Sequence, residues 1–137
     1  MKYWLLKTEP DDWSWKMQIK AGSKGAEWNG VRNFQAAKNL KNMKKGDKCF
    51  FYHTGKIKSI VGVAEVLKES FVDRSDMSGK FVSIKIKALY PLKNQVGLSE
   101  IKKNKLFRDF YLVKQSRLSV MSVDLKYWKK ICKMGKV

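Results

Sequence analysis

The chain has one histidine, His53, and two cysteines, Cys49 and Cys132, with no CxxC spacing. A lone histidine leaves little from which to build a structural zinc site or a histidine-based catalytic triad. Cys49 lies inside an apolar run and reads as a buried thiol, not as half of a distant disulfide, which points to an intracellular protein. No stretch approaches the ~20 apolar residues of a membrane span. The opening residues, MKYWLLKTEPDD, turn acidic too soon for a signal peptide. Linkers, repeats and low-complexity segments are missing as well. The expectation is one domain over residues 1–137, a monomer with no metal, cofactor or membrane partner, in a bacterial cytoplasm.

Acidic residues are also scarce, 12 against 30 basic ones, for a formal net charge of +18. Residues 1–68 carry +8 of this and residues 69–137 carry +10, so the field is not held on a tail. Such a field favours polyanions and predicts salt-dependent nucleic-acid binding. The plainer alternative is a generic basic surface filled by a lysine-biased genome. Only four of the basic residues are arginine: Arg32, Arg74, Arg108 and Arg117. Where lysine serves elsewhere as a point charge, an arginine implies use of its planar fork.

What is present fits an ordinary globule with one core: 44% hydrophobic residues and 31% charged. Residues 3–8 read as a first strand ended by Glu9-Pro10, and Ser14 as the cap of a helix over 15–20. Residues 21–31 read as a glycine-bearing loop. Asn33 caps a helix in which Ala36, Leu40 and Met43 face a core, with Gly46 as its left-handed end. The runs 48–53 and 59–67 flank TGK and predict a hairpin, with Gly62 marking a bulge or a close backbone approach. Alternation over 81–90 predicts a half-buried strand stopped by Pro91. A short helix over 98–107, a last strand over 117–123 and a helix capped by Asp124, burying Leu125, Trp128 and Ile131 or Cys132, complete the pattern. About five strands with interspersed helices and few βαβ units imply an α+β, barrel-like fold.

Candidate functional residues cluster early. Trp4, Trp13, Trp15 and Trp28 all lie in the first 28 residues. Most read as packing residues. Trp28, beside Asn29 and Gly30, reads as either packing or a surface on which a base stacks. Arg32 and Gln35 supply polar groups of the kind a base edge demands, and Asn33 is either another such group or only a cap. Lys7-Thr8-Glu9 is the one enzyme-like triplet. Strand alternation sets Lys7 and Glu9 on one face and Thr8 on the other, which argues against a catalytic set. Tyr52-His53 ends a strand, and Arg117 with Ser119 opens another. Lys126, Lys130 and Lys133 share one helix face, read either as solvated or as phosphate contacts.

Five ordered blocks, KYWLLKTEP, WNGVRNFQA, KKGD with FFYH, IVGVAEV and RLSV, resemble the EVE domain family over nearly the whole chain. The resemblance implies a PUA-like β-barrel of five or six strands with surrounding helices. It also implies one pocket, related to that with which YTH domains hold a methylated base, reading a modified base such as a modified cytosine in DNA or RNA without chemistry. Trp28, Gly30, Val31, Arg32 and Asn33 would form a wall, and Lys7, Thr8 and Glu9 the floor. Tyr52 and His53, with Arg117, Leu118 and Ser119, would close it. The neighbouring ASCH group implies an alternative, an amidohydrolase acting on a modified nucleobase or nucleoside through Lys7, Thr8 and Glu9. The turn TGKIKS and the loop over 69–80 are short, and Phe81 stands near a common family Trp, so a reduced rim is expected.

Overall fold

Strand β1, Tyr3–Thr8, buries Trp4, Leu5 and Leu6 in succession, the mark of a strand covered on both faces. It pairs in parallel with β3, Lys48–His53, and antiparallel with β6, Val120–Ser122. A parallel pair needs a long crossover. Here that crossover carries helix α1 (Trp15–Lys20), a short strand β2 (Ala26–Trp28) and helix α2 (Phe34–Asn42). The chain continues through β4 (Ser59–Val72) and β5 (Val82–Gly97) to helices α3 (Leu98–Lys103) and α4 (Tyr111–Lys114). Helix α5, Leu125–Met134, follows β6. The six strands form one sheet in the order β2-β5-β4-β3-β1-β6, curled as a half-barrel. The computed structural model describes residues 1–137, and no helix is long and apolar enough to cross a membrane.

Local signals place several elements. Ser14 Oγ accepts from the Met17 N–H at 3.1 Å and Asn33 Oδ1 from the Ala36 N–H at 2.9 Å, so both act as side-chain caps. Cys49 is a free, buried thiol, pushed up in pKa by burial and by Asp47. Asp47 itself accepts from the Trp4 Nε1–H at 3.0 Å and from the backbone N–H groups of Lys2 and Lys44. It ties the start of β1 to the turn before β3.

The sheet has two buried faces. Phe50 and Phe51 are successive in β3, so their rings point to opposite sides. Phe50 stacks on Trp128 of α5, with centroids 3.9 Å apart. Phe51 meets Trp15 at 5.1 Å and Trp28 at 5.6 Å, both edge-on. Gly62 lies in β4 opposite Phe51, and a Cβ there would come within 2.4 Å of the Trp15 ring. The pairing also shifts register between Ile60 and Gly62, so Gly62 marks both a bulge and a close approach.

Several expectations need correction. The loop over 21–31 contains β2, a strand created by its pairing with β5 (Ala26 to Ile86, Trp28 to Ile84). Strand β5 does not stop at Pro91, because that residue pairs with Gly62 at the bulge, where a missing N–H is tolerated. Ser83 is buried and Tyr90 is exposed, against the simple alternation. Gly46 adopts φ +93 but lies beyond Met43, the actual C-cap of α2, and serves the turn into β3. The last strand begins only at Val120, and Asp124 precedes α5 without a side-chain capping bond. Leu125 is half exposed, whereas Tyr127, Trp128 and Ile131 carry the buried face of α5. Residues 69–72 belong to β4, so the shorter loop runs over 73–81.

Candidate functional site

A cavity of about 410 Å³ opens where β1 ends and β2 gives way to α2. Eight of the expected residues line it: Lys7, Thr8 and Glu9 from the end of β1, then Trp28, Gly30, Val31, Arg32 and Ser119. Asp12, Trp13, Glu27 and Asn29 join them, and sequence reasoning had not placed these four there.

Each wall has a structural cause. Trp28 ends β2 and is 8% exposed, so its indole is both core and cavity lining: one part packs on Phe51, and little remains for a ligand. Trp13 is held by its own network. Its Nε1–H donates to Gln18 Oε1 at 2.8 Å, and the fully buried Gln18 donates in turn to the Ile86 carbonyl at 3.1 Å. The Thr8 hydroxyl donates to the Trp13 carbonyl at 2.9 Å. Gln18 therefore fixes the half-buried indole at the cavity, and Thr8 fixes the backbone that carries it.

The Gly30–Arg32 wall hangs on Asp73, whose side chain is wholly buried. Asp73 accepts from the Gly30 N–H at 2.8 Å, from an Arg32 guanidinium N–H at 3.0 Å, and from both the N–H and the hydroxyl of Ser75. Burial would raise its pKa, but these donors outweigh burial and hold the carboxyl far below its ordinary value. Gly30 takes φ +82, a left-handed conformation that glycine adopts without strain. The Arg32 fork is largely engaged by the protein itself, on Asp73, Ser75 and the Val31 carbonyl, with Phe81 5.4 Å beneath it. Nothing in the local sequence marks Asp73 for this role; it was missed because only the fold brings it to residue 30.

The enzyme-like triplet does not form a relay. Lys7 Nζ donates to the Ser116 carbonyl at 2.9 Å and lies 5.7 Å over the Tyr52 ring, and burial lowers its pKa. The Thr8 hydroxyl serves Trp13, with a weaker contact to the Glu9 carbonyl. The Glu9 carboxylate accepts from the Thr54 hydroxyl at 3.2 Å. Lys7 and Thr8 thus serve different partners, Ser116 and Trp13, while Glu9 lies past the end of β1.

Other expected residues lie elsewhere. Asn33, Gln35, Arg117 and Leu118 line a neighbouring groove, because the chain between α4 and β6 is a turn, closed by the Leu118 N–H on the Gln115 carbonyl, and not a strand. Tyr52 lines a third groove on the Lys7 side of the sheet, and burial pushes its pKa up to about 12. His53 lines none of these hollows. Its Nε2 accepts from the Trp15 N–H at 3.0 Å, and burial lowers its pKa against the opposing charge of Glu9. Lys126, Lys130 and Lys133 line none of these three hollows, and α5 starts beside Tyr3, at the far end of β1 from Thr8. No group of three or more His, Cys, Asp or Glu side chains is placed to hold a metal ion.

A six-stranded half-barrel with five helices, open at one polar cavity, is an α+β architecture of the PUA-like type. The chain belongs to the EVE domain family, whose model matches residues 2–134. A solved structure of a Rhodopseudomonas palustris protein is 46% identical, covers 99% of this chain and 94% of its own, and superposes with a TM-score of 0.94. Mouse thymocyte nuclear protein 1 is 40% identical over 83 residues, 53% of this chain and 37% of that protein. The chain thus aligns with little more than a third of that relative's length. Human THYN1 protein, solved in complex with 5-methylcytosine-containing DNA, shares the fold at a TM-score of 0.93 and 21% identity over 100% of this chain and 99% of that one.

Proposed function

We propose that this chain is a non-enzymatic reader that takes one modified base of DNA or RNA, a modified cytosine, into the cavity. One observation carries the reading: two indoles, Trp13 and Trp28, share a cavity with three carboxylates, Glu9, Asp12 and Glu27. Base–aromatic stacking contributes ~1–3 kcal/mol per base. A carboxylate accepts from an exocyclic amine, which is how Glu and Asp recognise N4 of cytosine. The same carboxylates repel phosphate, and the two cations of the lining are engaged elsewhere, Arg32 by Asp73 and Lys7 by the Ser116 carbonyl, so the cavity suits the base better than the backbone. The net charge of +18 supplies the phosphate attraction outside it. The DNA complex of the human protein with the same fold supports the choice of cytosine. The base enters unpaired or flipped, and flipping from a duplex costs a few kcal/mol.

The amidohydrolase alternative has less support. It needs a nucleophile hydrogen-bonded to a base, and the Thr8 hydroxyl instead serves the Trp13 carbonyl.

The test is a fluorescence-polarisation titration of short single-stranded and duplex oligonucleotides with one cytosine or adenine, plain, methylated or hydroxymethylated. Wild type is compared with Trp28→Ala and, because Trp28 is a core residue, with the half-buried Trp13→Ala. The expected result is a preference of tenfold or more (~1.4 kcal/mol) for one modified cytosine, erased in Trp13→Ala. Equal affinity for every oligonucleotide in wild type overturns the reading. Turnover of a modified cytidine that disappears in Thr8→Ala moves the assignment to the enzyme.

A further inference from the structure

We infer that the phosphates flanking an inserted base run in two basic grooves beside the cavity, one governed by Arg117 and the other by Lys58 and Lys102. This rests on the base-pocket reading above. The argument begins with sign. In the cavity three carboxylates, Glu9, Asp12 and Glu27, face two cations, of which Arg32 is engaged by Asp73, whereas each groove lining carries lysine or arginine and the nearest acid to the second groove, Glu9, is bonded to Thr54 at its edge.

The first groove, about 290 Å³, lies between the start of α2 and the segment 114–119. It continues the cavity along both walls, since Arg32 and Ser119 line the cavity while their chain neighbours Asn33 and Leu118 line the groove. Lys114 is shared with Asp109 in an exposed pair at 3.5 Å. Arg117 is exposed and makes no hydrogen bond or ion pair within the molecule, so its fork is free for a phosphate.

The second groove, about 260 Å³, shares Lys7 with the cavity and Ser116 with the first groove, so it adjoins both. Lys58 and Lys102 both line it, exposed and unpaired. They come from distant parts of the chain. The Leu98 N–H donates to the Lys58 carbonyl at 2.8 Å, which joins the β3–β4 turn to α3. Lys58 takes φ +46, a backbone conformation uncommon outside glycine. A nucleotide whose base occupies the cavity thus has two adjoining cationic grooves for the phosphodiester backbone, in DNA and RNA alike. Lys126, Lys130 and Lys133 line neither groove.

The test measures affinity of the whole chain for short single-stranded oligonucleotides, plain and carrying 5-methylcytosine, across a salt series. The variants are Lys58→Gln with Lys102→Gln, Arg117→Gln, and a control with Lys126, Lys130 and Lys133 all changed to Gln. Because each lost phosphate contact removes about 0.7 from the slope of log affinity against log salt, the double variant should flatten it by about 1.4 and Arg117→Gln by about 0.7. The two oligonucleotides should weaken together, leaving any preference intact, and the control should keep the wild-type slope. Groove variants that keep the wild-type slope overturn the inference, even where Trp13→Ala abolishes base preference and upholds the reader. Flattened slopes with no base preference uphold the grooves while the reader falls. No binding at low salt overturns both.

Discussion

Phe50 and Phe51 stand side by side in β3, both wholly buried, and serve different halves of the molecule. Phe50 lies in a closed stack, Trp128 at 3.9 Å and Tyr3 4.4 Å from the same indole, sealed by α5. Phe51 anchors Trp15 and Trp28, and that cluster ends at a cavity edged with carboxylates. The first arrangement buries its aromatic surface for stability. The second keeps part of its aromatic surface for a ligand and needs polar scaffolding to hold it there. Gln18 and Asp73 supply the scaffolding, each buried and each bonded to a cavity residue.

The comparison breaks most visibly at Phe50. Phe50→Ala should cost about 3–5 kcal/mol in urea unfolding, while the molecules that remain folded keep their oligonucleotide preference. A lost preference at full folding would mean that the two faces are coupled. On the other face, Gly62→Ala drives a Cβ into the Trp15 ring and should cost about 1–3 kcal/mol, and it should also alter binding, because Trp15 and Trp28 share Phe51. Full stability in that variant would show that Trp15 moves freely.

Asp73→Asn sharpens the same contrast through pH. The folded carboxyl titrates below its ordinary value of 3.8, so its contribution is complete above that value and is lost as pH falls through the folded pKa. The variant should be less stable by about 1 kcal/mol at neutral pH. Its gap from wild type should then narrow as pH falls below about 4 and continue to narrow down to the folded pKa. A gap that is constant with pH would remove the charge from the explanation. The smallest effect belongs to α5: changing Lys126, Lys130 and Lys133 to Gln should cost less than about 0.5 kcal/mol each, because no ion pair uses them.

Much of the fold was legible because its causes are local. The caps at Ser14 and Asn33, the apolar run of β3 and the glycine in β4 each act within a few residues of themselves. The pass of β5 through Pro91 was not, because the proline is tolerated only where β4 bulges at Gly62. Strand β2 was equally hidden. Three residues between glycine-bearing turns carry no period, and only the edge of β5 makes them a strand. At the cavity, residues near Lys7 and Trp28 could be picked by chemical type. Trp13 could not be separated from the other tryptophans, since what distinguishes it is a bond to Gln18 and one from Thr8.

By itself the sequence determined a strongly basic α+β chain of the EVE family, with its apolar runs, caps and polar-aromatic blocks in order. Tertiary structure alone decided which of those blocks meet. Asp73 reaches Gly30 across 43 positions and the Lys58 carbonyl meets Leu98 across 40, so the cavity and its grooves depend on sheet curvature and strand pairing. Short-range pattern encodes neither, because the partners of a buried carboxylate or a groove are set by distance in space and not along the chain.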